Sequence, residues 1–365
     1  MMLKMPAIAR IIPDVKKIAV LRANALGDFI FVLPALHALR NNYPEAEIVY
    51  LGNAWHKPFL SNRPGPVDRV IIVPPCEGIP HESNSIENEV EVAAFFADMQ
   101  KECFDIAIQL HGGGKYSNPF IKKLGARITL GLKTKNASSL DLNVPYFLHQ
   151  NEILRYLEVV AQIGARTEII EPKLTVTESD TEELSKIIPH RETPFAVIHP
   201  GASDTRRRWP AEKFAFVGDA LADKGFRIMV SGTLSEKDIA EQVITNMSAE
   251  ADNLCGKLSL NGLIALLDEA SIMISNDTGP LHLAKAVDTP TVGIYWCGNI
   301  ITAGLITASS HRTCLGWNVY CPDCGINCTV DDAHVSKAGC KHDKSFIGDL
   351  CAGDVIEQAM SLLTS

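Results

Sequence analysis

The 365-residue sequence contains no G-x-G-x-x-G turn and no G-x-x-x-x-G-K-[ST] loop. Two common ways of offering backbone N–H groups to a nucleotide phosphate are therefore missing, which disfavours classical dinucleotide-binding and P-loop chemistry. G-x-S-x-G and H-E-x-x-H are absent as well, so a nucleophile-elbow hydrolase and a helix-borne zinc protease are excluded. No window approaches the ~20 apolar residues of a membrane span. The first 17 residues are broken by Pro6, Arg10, Pro13 and Asp14 and lack the apolar core of a secretion signal, so a cytoplasmic location is expected. A cationic excess is lacking too: 34 Lys and Arg stand against 43 Asp and Glu, a formal net charge of −9. That argues against nucleic acid and against a broad anionic membrane surface as partners.

What is present reads as a soluble α/β chain. The apolar fraction is 46% and the charged fraction 21%, both ordinary for globular proteins. The length exceeds one ordinary core, so two domains are expected. Short apolar runs at 17–22, 47–51, 69–73, 104–110 and 127–131 read as strands, with helices between them at 29–41 and 87–103 and another at 151–163. Residues 168–193 are mixed, charged and proline-containing, and the boundary is placed there, at 175/176. The alternation then restarts, with strands at 195–199, 226–230, 253–255, 270–275 and 291–295 and helices at 211–224, 235–247 and 260–269. Such alternation predicts two Rossmann-like parallel-sheet domains, 1–175 and 176–350. A Cys-rich segment spans 311–351 and a final helix falls within 352–365.

Chemistry concentrates at strand ends. Asp277-Thr278-Gly279-Pro280-Leu281-His282 follows a buried-strand run and precedes a helix. In an open α/β sheet that position binds ligands, and a helix start favours an anion such as a diphosphate. A cap requires less than Asp277, Thr278, Gly279 and His282 together. Arg206-Arg207-Arg208 sits in the loop after the strand at 195–199; it is a solvated basic turn or a diphosphate clamp. Ser231-Gly232-Thr233 ends another strand, and Gly112-Gly113-Gly114 allows close backbone approach. Gly27-Asp28 lies at the first strand-to-helix turn, where Asp28 is a helix cap or a carboxylate able to take a proton from a hydroxyl.

Three ordered blocks carry a family resemblance. They are Leu26-Gly27-Asp28 with Pro34-Ala35-Leu36 and Tyr43-Pro44-Glu45-Ala46; His199-Pro200-Gly201-Ala202 leading to Arg207-Arg208-Trp209-Pro210; and Asn276-Asp277-Thr278-Gly279-Pro280 with His282-Leu283-Ala284. Together they resemble glycosyltransferase family 9, the ADP-heptose:lipopolysaccharide heptosyltransferases. The resemblance implies a GT-B fold, two Rossmann-like domains facing across a cleft, and inverting transfer that needs no catalytic metal. It implies an acceptor-binding first domain and a second that binds the nucleotide-sugar donor, ADP-heptose. The acceptor would be a lipid-linked or glycan molecule of the lipopolysaccharide core, reached with at most peripheral contact at the inner face of the inner membrane. Asp28 falls where the family has its general base. Arg207 falls where the family has a lysine or arginine on the donor phosphates, Asp277, Thr278, Gly279 and His282 fall on donor-binding positions, and Asn24 falls on a turn position where some members touch phosphate; Ser231, Gly232 and Thr233, at their strand end, either approach the nucleotide or form a simple turn. Ala25 replaces a hydroxyl residue found in some members, and Leu234 stands near a position where some carry an acid, with Glu236 two residues on. The competing readings are a GT-B enzyme with another donor or a protein acceptor, a nucleotide-sugar epimerase, and a non-catalytic nucleotide-sugar binding protein.

Ten cysteines are unevenly placed, six of them between 314 and 351. Cys321, Cys324, Cys328 and Cys340, with His342 beyond, have the short spacing of a structural zinc or iron site outside the chemistry, the alternative being a set of reduced thiols in a loop.

Overall fold

A computed structural model of the chain describes residues 11–79, 87–190, 192–304, 306–307, 309–329 and 342–364. The chain divides into two compact units, Met1–Pro172 and Lys173–Ser365.

The first unit holds strands β1 (Lys17–Leu21), β2 (Glu47–Gly52), β3 (Arg69–Ile72), β4 (Ile106–Gln109), β5 (Ile128–Lys133) and β6 (Leu142–Pro145). Its helices are α1 (Leu26–Asn42), α2 (His56–Leu60), α3 (Glu89–Lys101), α4 (Ser117–Lys123) and α5 (Glu152–Ala161). All pairings are parallel, in the order β3-β2-β1-β4-β5-β6. The central strands are covered on both faces, which is why Ile18, Ala19, Val20 and Leu21 form an unbroken apolar run and are fully buried. The same enclosure explains α1, where Phe29 to Ala35 and Leu36, Ala38 and Leu39 are all buried. Its apolar residues encircle the axis instead of forming a stripe, so the helix is held by packing on every side. Each large side chain so buried contributes about 1.5–3 kcal/mol.

The second unit repeats the plan. Its strands are β7 (Phe195–His199), β8 (Arg227–Val230), β9 (Ala251–Asn253), β10 (Ile272–Asn276), β11 (Thr291–Trp296) and β12 (His311–Gly316). Its helices are α6 (Glu178–Ile187), α7 (Ala211–Ala222), α8 (Lys237–Asn246), α9 (Leu260–Glu269), α10 (Gly279–Ala286), α11 (Cys297–Ala303) and α12 (Ala352–Leu363). The order is β12-β11-β10-β7-β8-β9, again all parallel. Both sheets thus run 3-2-1-4-5-6 in their own numbering, the doubly wound order. It reverses between the first and fourth strands, and ligands bind outside the carboxyl ends there.

Several elements differ from the sequence expectation. Helix α1 starts three residues earlier, because Asp28 sits in its first turn and accepts the Ala25 N–H at 3.3 Å. Residues 178–187 form α6 inside a stretch expected to be irregular; Thr177 caps it, and Asp180 reciprocates on the Thr177 N–H. Strand β9 lies two residues before its expected place. β12 adds an edge strand within the Cys-rich segment. The final helix packs within unit 2, with Val355 and Ala359 fully buried in that unit's core.

Candidate functional site

Polar side chains gather at the carboxyl ends of the switch-point strands in both units. In unit 1, Arg22 follows β1 and is almost completely buried. Its guanidinium donates to the Leu110 carbonyl beyond β4 at 3.0 Å, to Asp28 Oδ1 at 2.5 Å and to Glu152 Oε2 at 3.3 Å. Asp28 comes from the first turn of α1 and keeps 30% of its side chain exposed, against 16% for Glu152. Glu152 opens α5 behind the Asn151 cap and also accepts from Arg155 and the Tyr156 hydroxyl. Burial holds the Glu152 carboxyl above its ordinary range; the charges of Arg22 and Arg155 offset this only in part, and the Asp28 charge adds to it.

Beside them stands the loop after β4. Buried Gln109 donates to the carbonyls of His111 and Gly112 and to Ser117 Oγ, which fixes the glycine run. Gly112 has φ +64°, and a side chain there would meet open space, so this backbone is presented outward. His111 is held neutral, its pKa down at about 4, by burial and then by the Arg22 charge. Atoms at this end that are buried without a hydrogen-bond partner among the described residues include Asn24 Oδ1, His111 Nδ1 and the Nε atoms of Arg22 and Arg155. Buried polar atoms are ordinarily paired, so the Asn24 and His111 atoms mark places where a ligand hydroxyl or water belongs.

In unit 2, Asn276 at the end of β10 stitches the switch point together. Its amide donates to Pro200 O at 2.8 Å after β7, and its Oδ1 accepts the Trp209 N–H at 3.1 Å. Trp209 is fully buried and anchors the arginine loop. Arg206 is paired with Asp204 and lies over the Phe346 ring, while Arg208 donates to Ala202 O. Arg207 is the member of the trio that reaches toward α10: its guanidinium stands 3.6 Å from Asp277 and donates to Ser203 Oγ at 3.2 Å. Asp277 is buried, accepting from His282 at 3.0 Å and from Asn299 at 2.9 Å. Burial alone would raise its pKa, but the His282 and Asn299 hydrogen bonds and the Arg207 charge hold it below the usual carboxylate range. Asp277 is therefore turned on both His282 and Arg207. Thr278 caps α10 in extended geometry, and Pro280 follows in its first turn. The Gly279 and Leu281 N–H groups precede the first helical bond, His282 N–H to Thr278 O, so they point out of the helix start.

The Ser231-Gly232-Thr233 turn follows β8. Ser231 is buried against the His199 ring at 3.2 Å. The Thr233 N–H and hydroxyl both donate to Glu236 Oε2. Glu236 stands over Gly201, where a Cβ would collide with its carboxylate. A side chain at 201 would require the Glu236 carboxylate to move aside.

The Cys-rich segment folds into a tight turn after β12. Cys321 N–H donates to Ile326 O and Gly325 N–H to Cys321 O, both at 2.8 Å, with Gly325 at φ +70°. Cys321, Cys324 and His342 bring three donor atoms within 4.8 Å of one another. Cys328 is buried with Cys321 and Phe346 and directs its thiol to Ile326 O, outside that group. Cys340 lies outside the described residues. The ligand atoms of a tetrahedral metal site lie about 3.3–3.8 Å apart, so this trio fits one ion after small rotamer changes.

Sequence reasoning missed Arg22, Glu152 and Asn299. Asn151-Glu152 carried only a helix-start signal. Asn299 lies in a helix whose residues show no clear period.

The profile of Glycosyltransferase family 9 (heptosyltransferase) matches residues 92–332. Lipooligosaccharide heptosyltransferase 2 of Haemophilus ducreyi is 23% identical over 293 residues, covering 75% of this chain and 81% of that protein. Among solved structures, the family 9 glycosyl transferase of Veillonella parvula has a TM-score of 0.75 at 21% identity, covering 96% of this chain and 97% of the other. The ADP-heptose lps heptosyltransferase II of E. coli has a TM-score of 0.74 at 20% identity, covering 95% and 98%. The iron-containing dodecameric glycosyltransferase TibC of E. coli aligns at a TM-score of 0.51 and 13% identity over 96% of this chain and 77% of that one. The fold is that of the GT-B heptosyltransferases. Two doubly wound units, each with its polar cluster at the switch point, and a profile match over most of the sequence lead to one conclusion: this chain is a glycosyltransferase and belongs to glycosyltransferase family 9.

Proposed function

We propose that the chain transfers a heptose from ADP-heptose to a sugar hydroxyl of the lipopolysaccharide inner core, with inversion. The observation that carries this reading is Arg207 held beside the N-terminus of α10 by buried Asp277. A preset cation and outward N–H groups form a seat for a diphosphate. The names of the similar heptosyltransferases supply the sugar and the acceptor class.

In this reading unit 2 binds the donor and unit 1 the acceptor. Asp28 takes the proton as the acceptor O–H bond breaks. The acceptor oxygen forms a bond to the anomeric carbon while the carbon–oxygen bond to the diphosphate breaks, its electron pair leaving with ADP. Arg207 and the helix start neutralise the charge that develops there. His282 and Thr278 act mainly through Asp277 and the α10 cap. Gly279 offers backbone to the phosphates. Gly232 and Thr233 place Glu236 near the ribose or sugar hydroxyls, and Ser231 supports that turn from below. Asn24 Oδ1, being an unpartnered acceptor, suits a ligand hydroxyl better than a phosphate oxygen. The direct test is a thermal-shift screen of ADP, UDP and GDP with their sugars. ADP and ADP-heptose are expected to raise Tm by several degrees at 100 Kd. Stabilisation by UDP- or GDP-sugars alone would overturn the donor assignment.

We also assign Cys321, Cys324 and His342 a structural metal, zinc or iron. When bound, the ion crosslinks the turn after β12 to the segment that returns toward α12. Protein purified without chelator is expected to carry about one equivalent by elemental analysis. Cys321→Ser should lose it together with several degrees of Tm. Metal-free wild-type protein of unchanged Tm would refute the assignment.

A further inference from the structure

We propose that Glu152 is a positioning residue for Asp28: by sharing the Arg22 guanidinium it keeps that carboxylate oriented and only partly neutralised. This rests on the reading of Asp28 as the acceptor-side base. A guanidinium paired with Asp28 alone would stabilise its anion and make it a poor proton acceptor. Here a single Arg22 nitrogen is divided between Asp28 Oδ1 at 2.5 Å and Glu152 Oε2 at 3.3 Å. The other Arg22 terminal nitrogen is committed to the Leu110 carbonyl at 3.0 Å, and the Tyr156 ring lies 5.1 Å from the guanidinium carbon. The cation is therefore fixed, and its charge is split.

Glu152 is itself anchored. Arg155 bonds its Oε1, Tyr156 its Oε2, and Arg155 also donates to the carbonyls of Phe147, Leu148 and Gln150. With both oxygens engaged, Glu152 is badly placed to act as a base, and its bonds hold it against Arg22. The other titratable groups facing this cluster are neutral. Burial drives the Tyr50 hydroxyl well above its ordinary range while it donates to Arg22 O, and His111 is neutral above about pH 4. Two arginines thus face two carboxylates. When Asp28 takes the acceptor proton, Arg22 keeps a counter-ion in Glu152. No buried cation is stranded, so protonation of Asp28 costs less than it would beside a lone arginine.

The test is the pH dependence of kcat/KM for heptosyl transfer by the full chain. In Glu152→Gln the whole Arg22 charge falls on Asp28. The acid limb is expected to move about one unit to lower pH, and kcat at the optimum to fall about tenfold, with KM for the donor within about twofold. Glu152→Asp should recover part of both. Tyr156→Phe, which leaves the carboxylate in place but removes a bond that favours its ionised form, should move the limb the same way by less. It also serves if Glu152→Gln does not fold. A folded Glu152→Gln whose acid limb stays in place overturns the proposal, as does a loss confined to stability. The Asp28→Asn variant separates the two ideas. If it keeps turnover, the base reading fails. If it is inactive while Glu152→Gln leaves the limb unmoved, only the positioning role fails.

Discussion

Asp28→Asn is expected to lower kcat by about 10²–10⁴ while leaving ADP affinity within about twofold. A positioned general base contributes roughly that factor to the chemical step alone. The proposed diphosphate seat lies in unit 2, and Asp28 in unit 1, so the substitution removes proton acceptance without touching phosphate contacts. The asparagine is isosteric, but Arg22 bonds Asp28 Oδ1 and the Ala25 N–H bonds Oδ2, so its single amide oxygen keeps one of these two bonds. Arg22 retains Glu152 as a counter-ion, which limits the stability cost to about 1–2 kcal/mol. Transfer assays alongside calorimetry with ADP decide the matter. Near-normal turnover in Asp28→Asn would remove this carboxylate from the chemistry.

Arg207→Ala is expected to weaken ADP binding about 10- to 100-fold and to slow transfer by at least as much. One or two charge-assisted hydrogen bonds to a phosphate are worth about 1.5–3 kcal/mol, and each 1.4 kcal/mol is a factor of ten in affinity. A second effect acts in the same direction. Asp277 is buried beside the seat and held ionised, partly by Arg207. Without that cation its negative charge faces the incoming diphosphate with only His282 and Asn299 to offset it. Arg206→Ala and Arg208→Ala should cost ADP affinity far less, since their side chains are engaged with Asp204, Phe346 and the Ala202 carbonyl. Calorimetry showing unchanged ADP affinity in Arg207→Ala would end the phosphate role.

The interior of each sheet was readable because strands buried on both faces must be apolar throughout. The runs at 18–21, 195–198 and 272–274 all show it. The periphery was not. β6 has the sequence LNVP, and β12 reads HRTCLG with only Cys314 and Gly316 buried. Edge strands of this kind carry no alternation strong enough to separate them from loops. The Asp277–His282 block was legible because a strand end, an acid and a helix start coincide within six residues. The surroundings of Asp28 were hidden by distance: Arg22 and Glu152 are 130 positions apart, and nothing local to Glu152 distinguishes it from an ordinary first-turn acid. Asn299 was hidden in the same way, 22 positions from the Asp277 carboxylate it supports.

The arginine loop is pinned from far downstream. The Trp209 indole donates to Leu350 O, 141 positions away, and Lys213 reaches the carbonyls of Gly348 and Leu350. The Phe346 N–H closes on Arg206 O at 2.8 Å. During synthesis, then, β7, β8 and β10 leave the ribosome before the residues that fasten this loop, and these late bonds form only once residues 346–350 have cleared the exit tunnel.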